Sequence, residues 1–262
     1  VIGVSRDPSK VGHVIFRNFI DGGFAGNVYP VNPNATEVLN KKCYPSVQAI
    51  KEKIDLAIIS VPADFVLKSV TDCHKKGIKD VIIVTSGFKE VGDYALDKKL
   101  EKLLRKYKMR CIGPNCLGTF DAYSKLDSLF LPRYRLRRPK EGPIGFGCKS
   151  GAVGSSILDL ATEEGYGFSK FISYGNAMIV DESDLLEYLG NDAATKVICL
   201  YIEGVKDGKK FLRVARAVSK KKPIICIKGG TTAEGSRATL SHTGSLAGSA
   251  EVYFGAFRQA GI

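Results

Sequence analysis

Short runs of β-branched and aliphatic residues alternate along this chain with stretches of about a dozen residues whose apolar positions recur every three or four. The first kind reads as buried strands, the second as amphipathic helices. In the first half, strands are predicted over 1–5, 27–31, 56–61, 81–85 and 110–112, with helices over 10–21, 46–52, 64–76 and 94–107. A basic stretch poor in helical pattern follows, ending in Arg137-Arg138-Pro139-Lys140-Glu141-Gly142-Pro143. The alternation then restarts, with strands over 144–147, 168–173, 196–201 and 224–227 and helices over 153–164, 182–189, 208–219 and 246–259. Parallel strands need crossover connections, and a helix is the usual one. The expected class is therefore α/β: a Rossmann-like domain over 1–125, a linker over 126–142, and a flavodoxin-like doubly wound domain over 143–262.

In open α/β sheets ligands bind beyond the carboxyl ends of the strands, so the turns there are where chemistry should sit. The first is Gly3-Val4-Ser5-Arg6-Asp7-Pro8-Ser9-Lys10-Val11-Gly12. Gly3 and Gly12 permit tight turning, Ser9 is the expected helix cap, and Arg6 and Lys10 suit an anion drawn to the helix start. This is not the G-x-G-x-x-G fingerprint, and the second turn, Val31-Asn32-Pro33-Asn34, lacks the acid that a nicotinamide site places on its ribose. Three more turns, Val61-Pro62-Ala63, Thr85-Ser86-Gly87-Phe88 and Gly113-Pro114-Asn115-Cys116-Leu117-Gly118, fall on the same sheet edge. Each alone reads as loop punctuation; together they suit a long ligand lying across several strand ends.

The second half repeats the arrangement. Cys148-Lys149-Ser150-Gly151-Ala152-Val153-Gly154 joins a strand to a helix and offers an N-terminus for phosphate, though it is no P-loop. Tyr201-Ile202-Glu203-Gly204 leaves an acid at the end of an apolar strand, either exposed where the sheet stops or placed to orient a histidine. Ser241-His242-Thr243-Gly244 sets an imidazole among hydroxyls directly before a helix. A neutral imidazole can accept a phosphoryl group as a nucleophile.

The 262 residues suffice for two domains, each with its own core. A net charge of +12 suits anionic ligands, but the Lys98 to Arg110 cluster follows a helical repeat and reads as a solvated face, with no nucleic-acid motif beside it. Seven scattered cysteines without a C-x-x-C fit neither a disulfide framework nor a zinc site. With no apolar run near the roughly 20 residues of a membrane helix and no signal peptide, the expected setting is the cytoplasm, with neither membrane nor nucleic acid as partner. The chain opens inside a predicted strand, without methionine, and stops after a helix, as the edges of a fragment would.

These five ordered motifs, at Gly3 to Gly12, Tyr29 to Pro33, Gly113 to Gly118, Ser150 to Gly154 and Ser241 to Gly244, closely resemble the α part of ADP-forming acetyl-CoA synthetases, relatives of succinyl-CoA synthetase. The resemblance covers nearly the whole chain. It implies an acyl-CoA synthetase that interconverts acyl-CoA, ADP and phosphate with carboxylic acid, CoA and ATP through an acyl phosphate and a phosphohistidine. It implies that His242 is phosphorylated and that Glu203 is its acidic partner. Coenzyme A is expected at Gly3, Ser5, Arg6, Pro8, Lys10, Gly12, Val31, Asn32, Pro33, Val61, Pro62, Ala63 and Asn115, and phosphate at Ser150, Gly151, Ala152, Val153, Ser241, Thr243 and Gly244. No metal ligand is expected here. ADP or ATP with Mg2+ would sit on an ATP-grasp β part, as a partner in a hetero-oligomer or fused. The chain departs from a Ser-Gln-Ser-Gly type turn by carrying Lys149, and lacks a further domain common after the equivalent of Ile262. Two rival readings are a CoA-sensing module without turnover, which retention of His242 and Glu203 disfavours, and a nicotinamide oxidoreductase, which the 31–34 turn disfavours.

Overall fold

The computed structural model describes residues 1–232 and 250–262. In the first domain, strands β3 (Leu56–Ile59), β4 (Asp80–Ile83) and β5 (Arg110–Ile112) pair in parallel. The two strands predicted before them shrink to single parallel bridges, Ile2 to Val31 and Ile2 to Ile59, with Val31 also bridging Tyr44. Gly3, at φ +92°, turns the chain away directly after the first bridge, which is why the ladder there is one residue long. Read across the sheet, the order is Tyr44, Val31, Ile2, β3, β4, β5: the strand at the switch point is the first one, as in a Rossmann domain. A small antiparallel pair, β1 (Glu37–Val38) with β2 (Lys41–Lys42), leads into Tyr44.

Helices α1 (Val11–Asp21), α2 (Val66–Lys75) and α3 (Tyr94–Lys106) cover this sheet. Their apolar stripes, such as Val66, Val70 and Cys73 on α2 and Leu100 and Leu104 on α3, are buried against Ile59, Val81 and Ile83. The helix predicted over 46–52 is only a 3-10 turn, Val47–Ala49. Val47 and Ile50 are both buried, and one tight turn, which brings i and i+3 onto the same side, suffices to bury them.

The second sheet has the order β11 (Ile224–Lys228), β10 (Val197–Ile202), β8 (Glu141–Cys148), β9 (Phe168–Ser173), β6 (Gly118–Asp121), β7 (Leu126–Asp127). Strands β8 to β11 are parallel and doubly wound, with α4 (Gly151–Glu163) on one side and α5 (Glu182–Asn191), α6 (Gly208–Ser219) and α7 (Ala250–Ala260) on the other. Asp181 caps α5 in a full capping box, and Asp93 and Asp207 cap α3 and α6.

The stretch read from sequence as a linker is not slack. β6 pairs antiparallel with β9 and with β7, so residues before and inside the expected 126–142 segment extend the second sheet. Leu129 and Leu136 are buried, and the fully buried Asp127 carboxylate takes ion pairs from Arg133 and Arg138, each at 2.9 Å. Two arginines of the basic run are therefore spent inside the fold. The buried Asn18 of α1 donates to Leu129 O at 2.7 Å and Leu131 O at 3.2 Å, tying the first domain to the same stretch.

Candidate functional site

A cleft of about 640 Å3 lies over the carboxyl ends of the first sheet. Gly3, Ser5, Lys10, Gly12, Val61, Pro62, Ala63 and Asn115 line it, joined by Ser60, Thr85, Ser86 and Phe130. Its floor depends on two glycines packed backbone to backbone. A Cβ on Gly12 would lie 2.1 Å from Gly3 O, so no other residue fits the start of α1 at this separation. Ser9 is not the cap: its hydroxyl and backbone N–H both bond Asp7 Oδ1, at 2.7 and 2.9 Å, and Lys10 occupies the cap position without a side-chain bond. The first turn of α1 thus meets the cleft uncapped by any side chain, as an anion site at a helix start requires. The cradle fits a long ligand carrying phosphates, such as coenzyme A.

Five of the residues expected to contact the cofactor fall outside that lining. Arg6, Pro8 and Pro33 are exposed on the surrounding loops, and Val31 is buried in the core with Val47 and Ile50. Asn32 is structural: its Nδ2 donates to Val4 O at 2.6 Å and its Oδ1 accepts from Asn34 N at 2.8 Å, pinning the second turn to the first.

One residue of the cleft lining, Asn115, bonds to the second domain. Asn176, after β9, donates from Nδ2 to Glu90 Oε2 at 2.7 Å and accepts from Asn115 Nδ2 at 3.4 Å. Glu90 Oε1 in turn accepts from the N–H of Gly87 at 2.6 Å and of Phe88 at 3.1 Å. Burial works against the Glu90 carboxylate, but these bonds outweigh it and hold its pKa below the ordinary value. Gly175, at φ +54°, packs its backbone on Pro114 and Asn115. Turns after β4, β5 and β9 therefore meet at one place. Sequence reading grouped the first two and missed Glu90; its spacing of three from Gly87 was the available sign of an acid turning back on loop amides.

Beyond that junction lies the turn at which phosphate is expected from sequence. Ser150 is buried and caps α4, accepting from Val153 N at 3.3 Å. Gly151 and Val153 are half-buried beside it, while Ala152 is exposed. Glu203, directly after β10, is 6% exposed, and its Oε2 is buried without a hydrogen-bond partner among the described residues. An orphaned carboxylate oxygen at a strand's carboxyl end is costly unless another group completes it. Lys149 and Lys228 stand near it, and Lys206 follows it by three residues. Desolvation lowers the pKa of Lys149, with Glu203 and then Glu182 opposing the shift; it also lowers that of Lys228, again opposed by Glu203; and Lys206 is lowered by desolvation and by the like charge of Lys89. Glu182 is 2% exposed, and burial pushes its pKa up. These charges, apart from Glu203, were not named as site residues from sequence. His242, Ser241, Thr243 and Gly244 lie outside the described residues.

Residues 1–121 match the family described as CoA binding domain, and residues 141–262 the family described as succinyl-CoA ligase like flavodoxin domain. The α subunit of acetate–CoA ligase [ADP-forming] II of Pyrococcus furiosus is 46% identical over 264 residues, covering all of this chain and 56% of that subunit. Over its whole length the chain is homologous to the α subunit of ADP-forming acetate–CoA ligase, with the two matched domains in order. The 4-hydroxybutyrate–CoA ligase [ADP-forming] of Nitrosopumilus maritimus is 39% identical over 267 residues, with 100% of this chain and 38% of that protein covered. Among solved structures, the dinucleotide forming acetyl-coenzyme A synthetase 1 of Ca. Korarchaeum cryptofilum, in complex with phosphate and ADP, matches with a TM-score of 0.95 and 44% identity over all of this chain and 56% of that one. The chain thus spans 38% to 56% of the length of these relatives. Its fold is a CoA-binding domain followed by a flavodoxin-like ligase domain. No described helix is long and apolar enough to cross a membrane.

Proposed function

We propose that this chain is the α part of an ADP-forming acyl-CoA ligase, working as acyl-CoA + ADP + phosphate ⇌ carboxylic acid + CoA + ATP. The observation that carries this reading is Glu203: a buried carboxylate oxygen without a partner among the described residues, at the carboxyl ends of the strands whose neighbour, β8, leads into the Ser150-capped start of α4. CoA lies in the cleft, with its thioester at the Asn115 and Asn176 junction. An oxygen of inorganic phosphate attacks the thioester carbonyl; the C–S bond breaks, and the CoA sulfur leaves and takes a proton. The acyl phosphate so formed gives its phosphoryl group to a ring nitrogen of His242, releasing the carboxylate. Phosphohistidine then passes the group to ADP.

Glu203 holds one ring N–H of His242, fixing the tautomer that leaves the other nitrogen free to attack. The start of α4 stabilises the negative charge of the phosphoryl group, since such transfers depend on positioning and electrostatics. Domain 1–125 carries CoA and domain 143–262 the transfer site in this reading. The remaining length of the relatives corresponds, in part, to an ATP-grasp β part that holds ADP or ATP with Mg2+, as a separate subunit in a hetero-oligomer or as a fused domain. The setting is cytoplasmic, where the seven free cysteines stay reduced.

The test is to incubate the complete α and β parts with γ-labelled ATP and Mg2+. Acid-labile, base-stable label mapping to His242 is expected. Full label on a His242→Ala protein overturns the assignment.

A further inference from the structure

We propose that Lys149 and Lys206, with Lys89 from the first domain, form the seat for the phosphate that attacks the thioester, so that this substrate is held by lysines of both domains. The inference rests on the ligase reading above and gives residues to one of its substrates.

The geometry comes from the turn after β9. Lys89 Nζ donates to Asn176 O at 3.1 Å, and Lys206 Nζ donates to Ala177 O, so ammonium groups from two domains end on consecutive carbonyls of one turn. Lys206 is exposed as a residue, and its ammonium bonds the Ala177 carbonyl. Its own backbone N–H donates to Glu182 Oε1 at 3.1 Å, which fixes the segment that follows Glu203. Lys149 follows the end of β8, where Cys148 O accepts from Tyr174 N at 3.0 Å, just before the Asn176 turn. Its N–H bonds Tyr201 O at 3.3 Å, and Ser150, the cap of α4, comes next, so its position is set by β10 and by the start of the helix.

Charge makes the cluster unusual. Desolvation weakens the ammonium forms of Lys149 and Lys206, and the like charge of Lys89 bears on both. Cations are brought together in a partly desolvated place at a cost unless an anion answers them. Glu182 and Glu203 answer only in part: no ion pair within 4.0 Å joins Lys149 or Lys206 to a carboxylate among the described residues. Glu203 acts on Lys149 through its charge, but its Oε2 has no hydrogen-bond partner among the described residues. A phosphate dianion beside the start of α4 supplies the missing charge. The lysines make and break no covalent bond; they hold the nucleophile and stabilise the charge that the acyl phosphate retains.

The test uses the complete α chain with its β part. Lys149→Gln and Lys206→Gln should each raise the KM for phosphate about tenfold, near 1.4 kcal/mol, with KM for acyl-CoA within about twofold of wild type. Lys149→Arg should restore most of the phosphate affinity. Calorimetric titration of the complete α chain with inorganic phosphate alone, without turnover, should show the same ranking. If the wild-type assembly lacks ligase activity while phosphate binding still depends on both lysines, the seat stands and the ligase reading falls. Unchanged phosphate binding and KM in both folded glutamine variants of an active assembly overturn the seat.

Discussion

The Asn176 amide donates to the Glu90 carboxylate across 2.7 Å, and that bond joins a turn of the first sheet to a turn of the second. Glu90 is half-buried, bound also by two loop amides, and its pKa is depressed. A carboxylate with a depressed folded-state pKa contributes stability that is present above its unfolded value, near 4.5, and is lost as pH falls through the folded value. Denaturant unfolding of wild type and Glu90→Gln should therefore differ at pH 6 to 7, by about 1 kcal/mol after allowance for partial exposure, and converge well below pH 4. Parallel curves across that range would remove the linkage.

Gly12→Ala places a methyl group 2.1 Å from Gly3 O. The backbone of the first turn must move, and with it the uncapped start of α1. CoA affinity, measured by calorimetry on the full chain, should fall at least about tenfold. Gly77→Ala, at a glycine with no atom within 4 Å of an added Cβ, serves as control: strain at φ +84° should lower stability slightly and leave CoA binding intact.

Lys10 and Arg6 looked equivalent as phosphate contacts, but only Lys10 lines the cleft. Lys10→Ala should weaken CoA about fivefold or more, whereas Arg6→Ala should stay within about twofold. The reverse order would mean that the 5–10 loop rearranges on binding.

Glu203→Gln should slow labelling of His242 by something like 10² to 10⁴ fold and leave CoA affinity unchanged, because the cleft belongs to the other domain. Normal labelling by this variant removes its positioning role. Loss of CoA binding as well would expose a folding defect.

What sequence revealed and what it hid follow one physical division. Helices α3 and α6 and strands β5 and β9 are legible to within a residue, since each carries its own period and, for the helices, an aspartate cap. The Tyr44 bridge and β6 were hidden because they are held by pairing with distant strands rather than by local pattern. At the site, Gly3, Gly12 and Ser150 were readable from turn chemistry. The roles of Asn32 and Val31 were not, because a turn sequence does not say which of its side chains face inward. Glu90, Glu182 and Lys206 acquire meaning only through neighbours from other turns.

The β6–β7 hairpin separates two boundaries that are usually assumed to coincide. By family match the first domain runs to residue 121; by folding it ends earlier, since Gly118–Asp121 already belongs to the second sheet through β9. A truncation at residue 125 would sever that sheet, leaving Phe120 and Leu117 without the core they fill beside Phe171 and exposing an unpaired strand edge, the kind of surface on which chains associate. An autonomous first domain would need its end moved back before Leu117. Exchanging CoA-binding domains between relatives would likewise succeed only if the hairpin travelled with the ligase domain rather than with the domain it follows in sequence.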